Sequence, residues 1–214
     1  MSRSIVFYFA VPSRYSYLAS TQMERLSAQT GHDIIWTPVD GEELRQRAGN
    51  DQFNSSALSG QYKSPYRERD LADWVDYYGV PYREPPDESG ELWWRGFGWQ
   101  KMRQIALAAL AGQELGGDAR WFHALFHLMF VGDRWPFTLD DLLDVARANG
   151  LDPHGVRARM GQPDLSDRLS HNTEQALADG VFGVPSFCWS GKMFFGNDRL
   201  VILKHQLSKL ADQT

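Results

Sequence analysis

The chain has 214 residues, 43% hydrophobic and 23% charged, and its 22 Lys and Arg against 27 Asp and Glu leave a formal net charge of −5. This is globular composition, long enough for one or two domains with a real core, and it argues against disorder, a fibrous repeat or a general nucleic-acid binder. The single cysteine, Cys188, excludes an intrachain disulfide, a CxxC redox pair and a cysteine-built zinc site, and agrees with a reducing, cytoplasmic setting.

Residues 4–10 (SIVFYFA) are rich in β-branched and aromatic side chains, so they predict a strand. Residues 5–11 are too short for a membrane span, and with Pro12 behind them they lack the cleavage site of a signal peptide. Tyr15, Leu18, Ala19, Met23 and Leu26 have helical spacing over 15–30, with Gly31 placed to close the helix. Residues 33–40 (DIIWTPVD) predict a second strand that Pro38 confines to an edge or an end. The opening is therefore β-α-β.

From about 41 to 180 the pattern is nearly all helical. Helices are predicted over 66–78, 99–115, 118–131, 139–149 and 165–179, closed in turn by Gly79, Gly116, the end of the apolar run, Gly150 and Gly180. Thr138 and Asp141 have capping-box spacing. Beyond 180, residues 186–189 and 192–195 flank Ser190-Gly191 as a hairpin, and Leu200, Leu203, Leu207 and Leu210 mark a last helix. A β-α-β unit and a β-β-α unit enclosing helices predict an α/β thioredoxin-like fold with a large all-helical insert. On this reading 1–40 plus 181–214 form one domain and 41–180 the other.

Three places offer chemistry. The first strand enters the first helix through Ser13-Arg14-Tyr15-Ser16. A helix N-terminus presents unpaired N–H groups and about half a positive charge, which favour an anion such as a thiolate. In a thioredoxin-like fold Ser13 and Ser16 stand where two cysteines would, so disulfide exchange is excluded, while a serine hydroxyl can still donate to a thiolate brought by a ligand. An ordinary N-cap serine explains the same residue. The Val184-Pro185 bond enters a strand, where a cis bond is one way to turn, and the backbone there could pair with an extended peptide; a plain turn is the alternative. Phe195-Gly196-Asn197-Asp198 precedes the last helix. Asn197 or Asp198 fits an N-cap there, and equally these N–H groups could hold a carboxylate while Asp198 holds an ammonium. A thiolate cradle, a backbone slot and an amino-acid clamp together suggest glutathione.

The segments FYFAVPSRYSYLA, GVFGVPSF and FFGNDRL resemble the 2-hydroxychromene-2-carboxylate isomerase family, close to the kappa-class glutathione transferases within the DsbA-type thioredoxin superfamily. Asn50 in RAGN, Lys63 and Tyr66 before DLADWVDYYGVPY, and HNTEQALADGVFGVP extend the resemblance over most of the chain, less specifically in the middle. It implies that Ser13 bonds the glutathione sulfur and that Val184, before a cis Pro185, pairs with the cysteinyl unit. It places the γ-glutamyl end on Phe195, Gly196, Asn197 and Asp198. It also places Asn50 and Lys63 near the cofactor or a substrate carboxylate. Ala10, Pro12 and Arg14 depart from the family pattern, and Arg14 adds a positive charge beside the thiolate site that could hold an acidic substrate.

The implied activity is glutathione-dependent isomerisation of a small, aromatic, acidic substrate by thiolate addition, bond rotation and elimination. The alternatives are a kappa-like transferase or peroxidase acting on a small-molecule electrophile, and a cysteine-less DsbA-like module that binds a peptide or partner protein. The resemblance also implies a homodimer.

Other features carry less. His123 and His127 share a helix face but lack an intervening glutamate and a third ligand, so no metal site is expected. Cys188 between Phe187 and Trp189 reads as a buried, inert thiol. Trp93, Trp94, Phe97 and Trp99 could wall an aromatic substrate pocket, with Trp94 as the contact, or serve core or dimer packing.

Overall fold

The computed structural model describes residues 3–49, 65–84, 99–134 and 137–211. Strand β1 (Ser4–Phe9) pairs in parallel with β2 (Asp33–Pro38) and antiparallel with β3 (Ser186–Trp189), which pairs antiparallel with β4 (Lys192–Phe195). The order β2-β1-β3-β4 is the mixed sheet of a thioredoxin-like fold. The hairpin turn has positive φ at both Ser190 (51°) and Gly191 (76°), the backbone that matches strand twist in a two-residue loop.

Between β1 and β2 lie α1 (Arg14–Ser20) and α2 (Met23–Thr30), not the single helix the periodicity predicts. The hydroxyls of Ser20 and Thr21 donate back to the carbonyls of Tyr17 and Leu18 at 2.7 Å, competing with helix continuation, and the chain kinks at Thr21–Gln22. Between β2 and β3 run α3 (Gly41–Arg47), α4 (Pro65–Tyr78), α5 (Trp99–Glu114), α6 (Ala119–Phe130), α7 (Leu139–Ala148), α8 (Pro153–Met160) and α9 (Pro163–Ala178). Helix α10 (Leu200–Ala211) follows a short 3-10 turn, Asn197–Arg199. The predicted capping box is present, Thr138 Oγ1 accepting from Asp141 N–H and Asp141 accepting from Thr138 N–H. Helices α3 and α8 do not stand out in the sequence as separate elements. Each is opened by an aspartate, Asp40 or Asp152, whose carboxylate accepts two backbone N–H groups.

Alternation along β1 divides the interior. Ile5, Phe7 and Phe9 enter the larger core, where Phe9 meets Phe122 of α6 at 5.1 Å and Phe7 stacks on Phe187 at 5.2 Å. Tyr8 points to the other face, among Val39, Leu44, Ala176 and Val181. Its hydroxyl donates to Asp179 at 2.6 Å and so ties the end of α9 to the central strand. Arg103 joins Asp40 (2.6 Å) to Ser166 (2.8 Å), bracing α3, α5 and α9 together. No helix among the described residues is long and apolar enough to cross a membrane.

Candidate functional site

The register Tyr8↔Ser186↔Phe195 brings the exit of β1, the entry of β3 and the exit of β4 to one end of the sheet. Helix α1 starts at that end, so Ser13, Val184, Pro185, Phe195 and Gly196 share it. The turn Asn197–Arg199 packs against α1.

Ser13 is the N-cap of α1, with φ −89° and ψ 117°, and its N–H donates to Ala10 carbonyl at 3.0 Å. Its Oγ accepts the Ser16 N–H at 3.1 Å. The acceptor role is thereby used within the helix, and the hydroxyl hydrogen is left to donate. Capping therefore leaves the hydroxyl able to donate to a ligand. Ser16 is fully buried, and its Oγ has no hydrogen-bond partner among the described residues.

The other side chains at the start of α1 are engaged. Arg14, only 15% exposed, is ion-paired with Glu84, which also accepts from the Tyr82 hydroxyl. Tyr15 donates to Asp70 of α4 at 2.6 Å, and Tyr17 donates to the Pro81 carbonyl. Segment 81–84 is thus laid along α1. Burial, reinforced by the bond to Glu84, pushes the Tyr82 phenol upward, and burial takes Tyr17 to about 12, so both are neutral donors. The Arg14 charge is balanced by its own chain, and an acidic ligand reaching it must displace Glu84.

The facing side is made of backbone. The Val184–Pro185 peptide is cis. Neither the N–H nor the C=O of Val184 joins the sheet ladder or a turn bond among the described residues. Gly196 N–H donates to the Pro185 carbonyl at 2.9 Å, joining this loop to the end of β4. Gly196 has φ 100° and ψ 150°, a conformation reserved to glycine, and a Cβ there would lie 2.4 Å from Asp198 Oδ1. Phe182 and Phe195, both exposed, pack at 4.7 Å over Gly183, where a Cβ would meet the Phe195 ring at 2.8 Å.

Asn197 is 3% exposed, and its Nδ2 has no partner among the described residues. Its carbonyl accepts from the Tyr78 hydroxyl at 3.3 Å. Gly196 is the N-cap of the 3-10 turn, with no side-chain bond, so neither Asn197 nor Asp198 caps that turn. Asp198 is paired with Arg199 at 2.8 Å. Asn50, Lys63, Trp93, Trp94 and Phe97 lie outside the described residues.

Sequence reasoning missed Glu84, Tyr82 and Tyr78. A largely apolar helix start bearing an arginine signals that some acid must meet it, but nothing in the spacing says which. His123 Nε2 is bound to Glu24 at 2.7 Å. Cys188 sits near Asp179, and burial, then that carboxylate, pushes its thiol up to about 12.

The DSBA-like thioredoxin domain matches residues 4–208. The chain belongs to that family. Three 2-hydroxychromene-2-carboxylate isomerases are 24–28% identical over most of the chain. That of Sphingobium xenophagum is 28% identical over 207 residues, 97% of this chain and 99% of its own length. A solved 2-hydroxychromene-2-carboxylate isomerase superposes with a TM-score of 0.79 at 23% identity, covering 98% of this chain and 97% of its own. Glutathione S-transferase kappa 2 of Caenorhabditis elegans is 24% identical, covering 93% of this chain and 89% of its own length. The relatives are isomerases and a transferase, which supports enzyme activity for this DSBA-like protein.

Proposed function

We propose that the chain is a glutathione-dependent isomerase of a small, aromatic, acidic substrate of the 2-hydroxychromene-2-carboxylate kind. The observation that carries this reading is the peptide unit of Val184, whose N–H and C=O, unpaired among the described residues, lie at the same sheet end as the Ser13 hydroxyl. Both fit the tripeptide: an extended cysteinyl unit pairs with backbone as an added strand does, and its sulfur falls toward the helix start. The buried Asn197 amide, without a partner among the described residues, is a third fit, since a donor left unpaired forfeits about 1–3 kcal/mol.

Glutathione, when bound, supplies a thiolate nucleophile. Ser13 donates its hydroxyl hydrogen to that sulfur, and the first-turn N–H groups of α1 add their partial charge. Low-pKa thiols at helix starts show that such surroundings favour the thiolate, each unit being worth about 1.36 kcal/mol. Val184 orients the cysteinyl backbone, and Gly196, Asn197 and Asp198 hold the γ-glutamyl end. Arg14 receives the substrate carboxylate by exchange with Glu84. Asn50, Lys63 and Trp94 complete the proposal as substrate contacts. A homodimer acting in the cytoplasm belongs to the same reading.

The test is calorimetric titration with reduced glutathione on the native protein and on Ser13→Ala, with thiolate absorbance followed against pH. Saturable binding is expected, with a thiolate pKa that rises in the variant and turnover of 2-hydroxychromene-2-carboxylate that falls at least tenfold, about 1.4 kcal/mol. The variant stays folded, because losing an N-cap costs only about 1 kcal/mol. Full activity in Ser13→Ala defeats the proposal. The kappa-class relative favours a second reading, transfer of glutathione to an electrophile. Stoichiometric loss of free glutathione during turnover selects that reading over isomerisation.

A further inference from the structure

A groove of about 500 Å³ lies at the opposite end of α1 from Ser13. It runs between the α1–α2 kink, the end of α4 and the start of α10. Its polar wall includes Gln22, Arg25 of α2 and Lys204 of α10, and its apolar wall includes Tyr77, Tyr78 and Val201. Seven residues of helix separate its floor from the Ser13 end, about 10 Å.

The groove brings two cations together. Several arginines of the chain are matched to acids, Arg45 to Glu42, Arg103 to Asp40 and Arg159 to both Glu114 and Asp164, whereas Arg25 and Lys204 face each other. Arg25 and Lys204 come from distant parts of the chain to one groove, and neither has an acidic partner among the described residues. The acids nearby are committed elsewhere. Glu24 is bound to His123, and Asp198, within electrostatic reach of Tyr78, is bound to Arg199. Burial, and then the facing Arg25, hold the Lys204 ammonium below the usual lysine range, so the pairing of like charges opposes folding. An oxyanion between them relieves the repulsion and gains charge-assisted hydrogen bonds.

The apolar wall says what the anion is attached to. Trp74, Tyr77 and Tyr78 form an aromatic group with ring centroids 5.3–5.6 Å apart. Tyr77 is 70% exposed and Val201 56% exposed, which leaves a ring and a branched aliphatic chain uncovered beside the two cations. We propose that this groove is a second ligand site that takes a small aromatic oxyanion, its head between Arg25 and Lys204 and its ring against Tyr77 and Val201.

The probes are phenyl phosphate and benzoate, with benzyl alcohol as the uncharged control, titrated calorimetrically into the native protein, Arg25→Gln/Lys204→Gln, Arg25→Glu and Ser13→Ala. Saturable one-to-one binding of at least one anion is expected, with none for benzyl alcohol. The anion that binds more tightly identifies the head group. Binding weakens at least tenfold in the double variant and in Arg25→Glu, and is unchanged in Ser13→Ala. These substitutions are at the surface, and circular dichroism confirms folding; Arg25→Glu alone decides the matter if the double variant does not fold. The proposal is overturned by no saturation up to about 10 mM. Equal binding to Arg25→Glu also overturns it, as does loss of binding in Ser13→Ala, which would move the anion to the other end of α1.

Discussion

At the start of α1 the long polar side chains have partners: Arg14 holds Glu84, Tyr15 holds Asp70 and Tyr17 holds the Pro81 carbonyl, while the buried Ser16 hydroxyl has none among the described residues. Across from it, the loop before β3 and the turn after β4 present a Val184 peptide and a buried Asn197 amide that have no partner among the described residues, and a glycine-only bend at Gly196. The α1 side is the more complete without a ligand, and the facing side the less. Unpaired buried groups hold binding energy in reserve, because the cost of desolvating them is met at folding and recovered when a ligand arrives. Paired groups hold specificity, because a ligand must outcompete the partner in place.

Substitutions that break the contrast act most strongly on the less complete side. Gly196→Ala forces a side chain into φ 100° and onto the Asp198 carboxylate, so stability falls by about 1–3 kcal/mol in urea melts, and glutathione affinity falls with it. Asn197→Leu separates folding from binding. Removing an unsatisfied buried amide leaves the ligand-free protein within about 1 kcal/mol of native stability or raises it, while glutathione affinity drops about tenfold. A parallel loss of stability would show that Asn197 is structural and the reserve imaginary.

On the more complete side the effect is smaller and opposite in sign. Glu84→Gln uncovers the Arg14 charge, so affinity for the acidic substrate rises about three- to tenfold, read as a lower KM with kcat little changed; the exposed partner limits the gain. A rise in KM instead would make Glu84 a substrate contact. Smallest of all is the response of Cys188. With its thiol pushed up to about 12, only about one part in 10⁴ is thiolate at pH 8, so iodoacetamide leaves the native protein unmodified and labels it once unfolded. Rapid native labelling would mean that the hairpin opens.

Much of this arrangement was legible before any coordinates. The β-α-β and β-β-α ends, the Ser190-Gly191 turn and the Thr138–Asp141 box follow from period and local turn chemistry, which act over a few residues. The Ser13 cap was legible for the same reason, while the cis bond before Pro185 was one of two turns that the residues left open and was expected only through the family resemblance. The kink after Ser20 was not, because two hydroxyls bonding back onto the helix leave the apolar spacing untouched. Nor were Glu84 on Arg14 or Arg25 beside Lys204, since contacts between distant segments follow from packing and leave no mark in spacing.

The strand order has a consequence for synthesis. β1 gains β2 on one edge within 40 residues, but its other edge waits for β3, whose first residue is Ser186. At about 5–20 residues per second, that edge stays open on the ribosome for on the order of ten seconds or more. The exposed segment, SIVFYF, is apolar, and an unpaired apolar edge templates pairing with another chain. Helices α5 and α6, which cover the Phe7–Phe9 face, emerge in that interval and shield the face but not the edge. Nascent chains stalled before residue 186 are therefore the form of this protein most prone to aggregate and most in need of a chaperone.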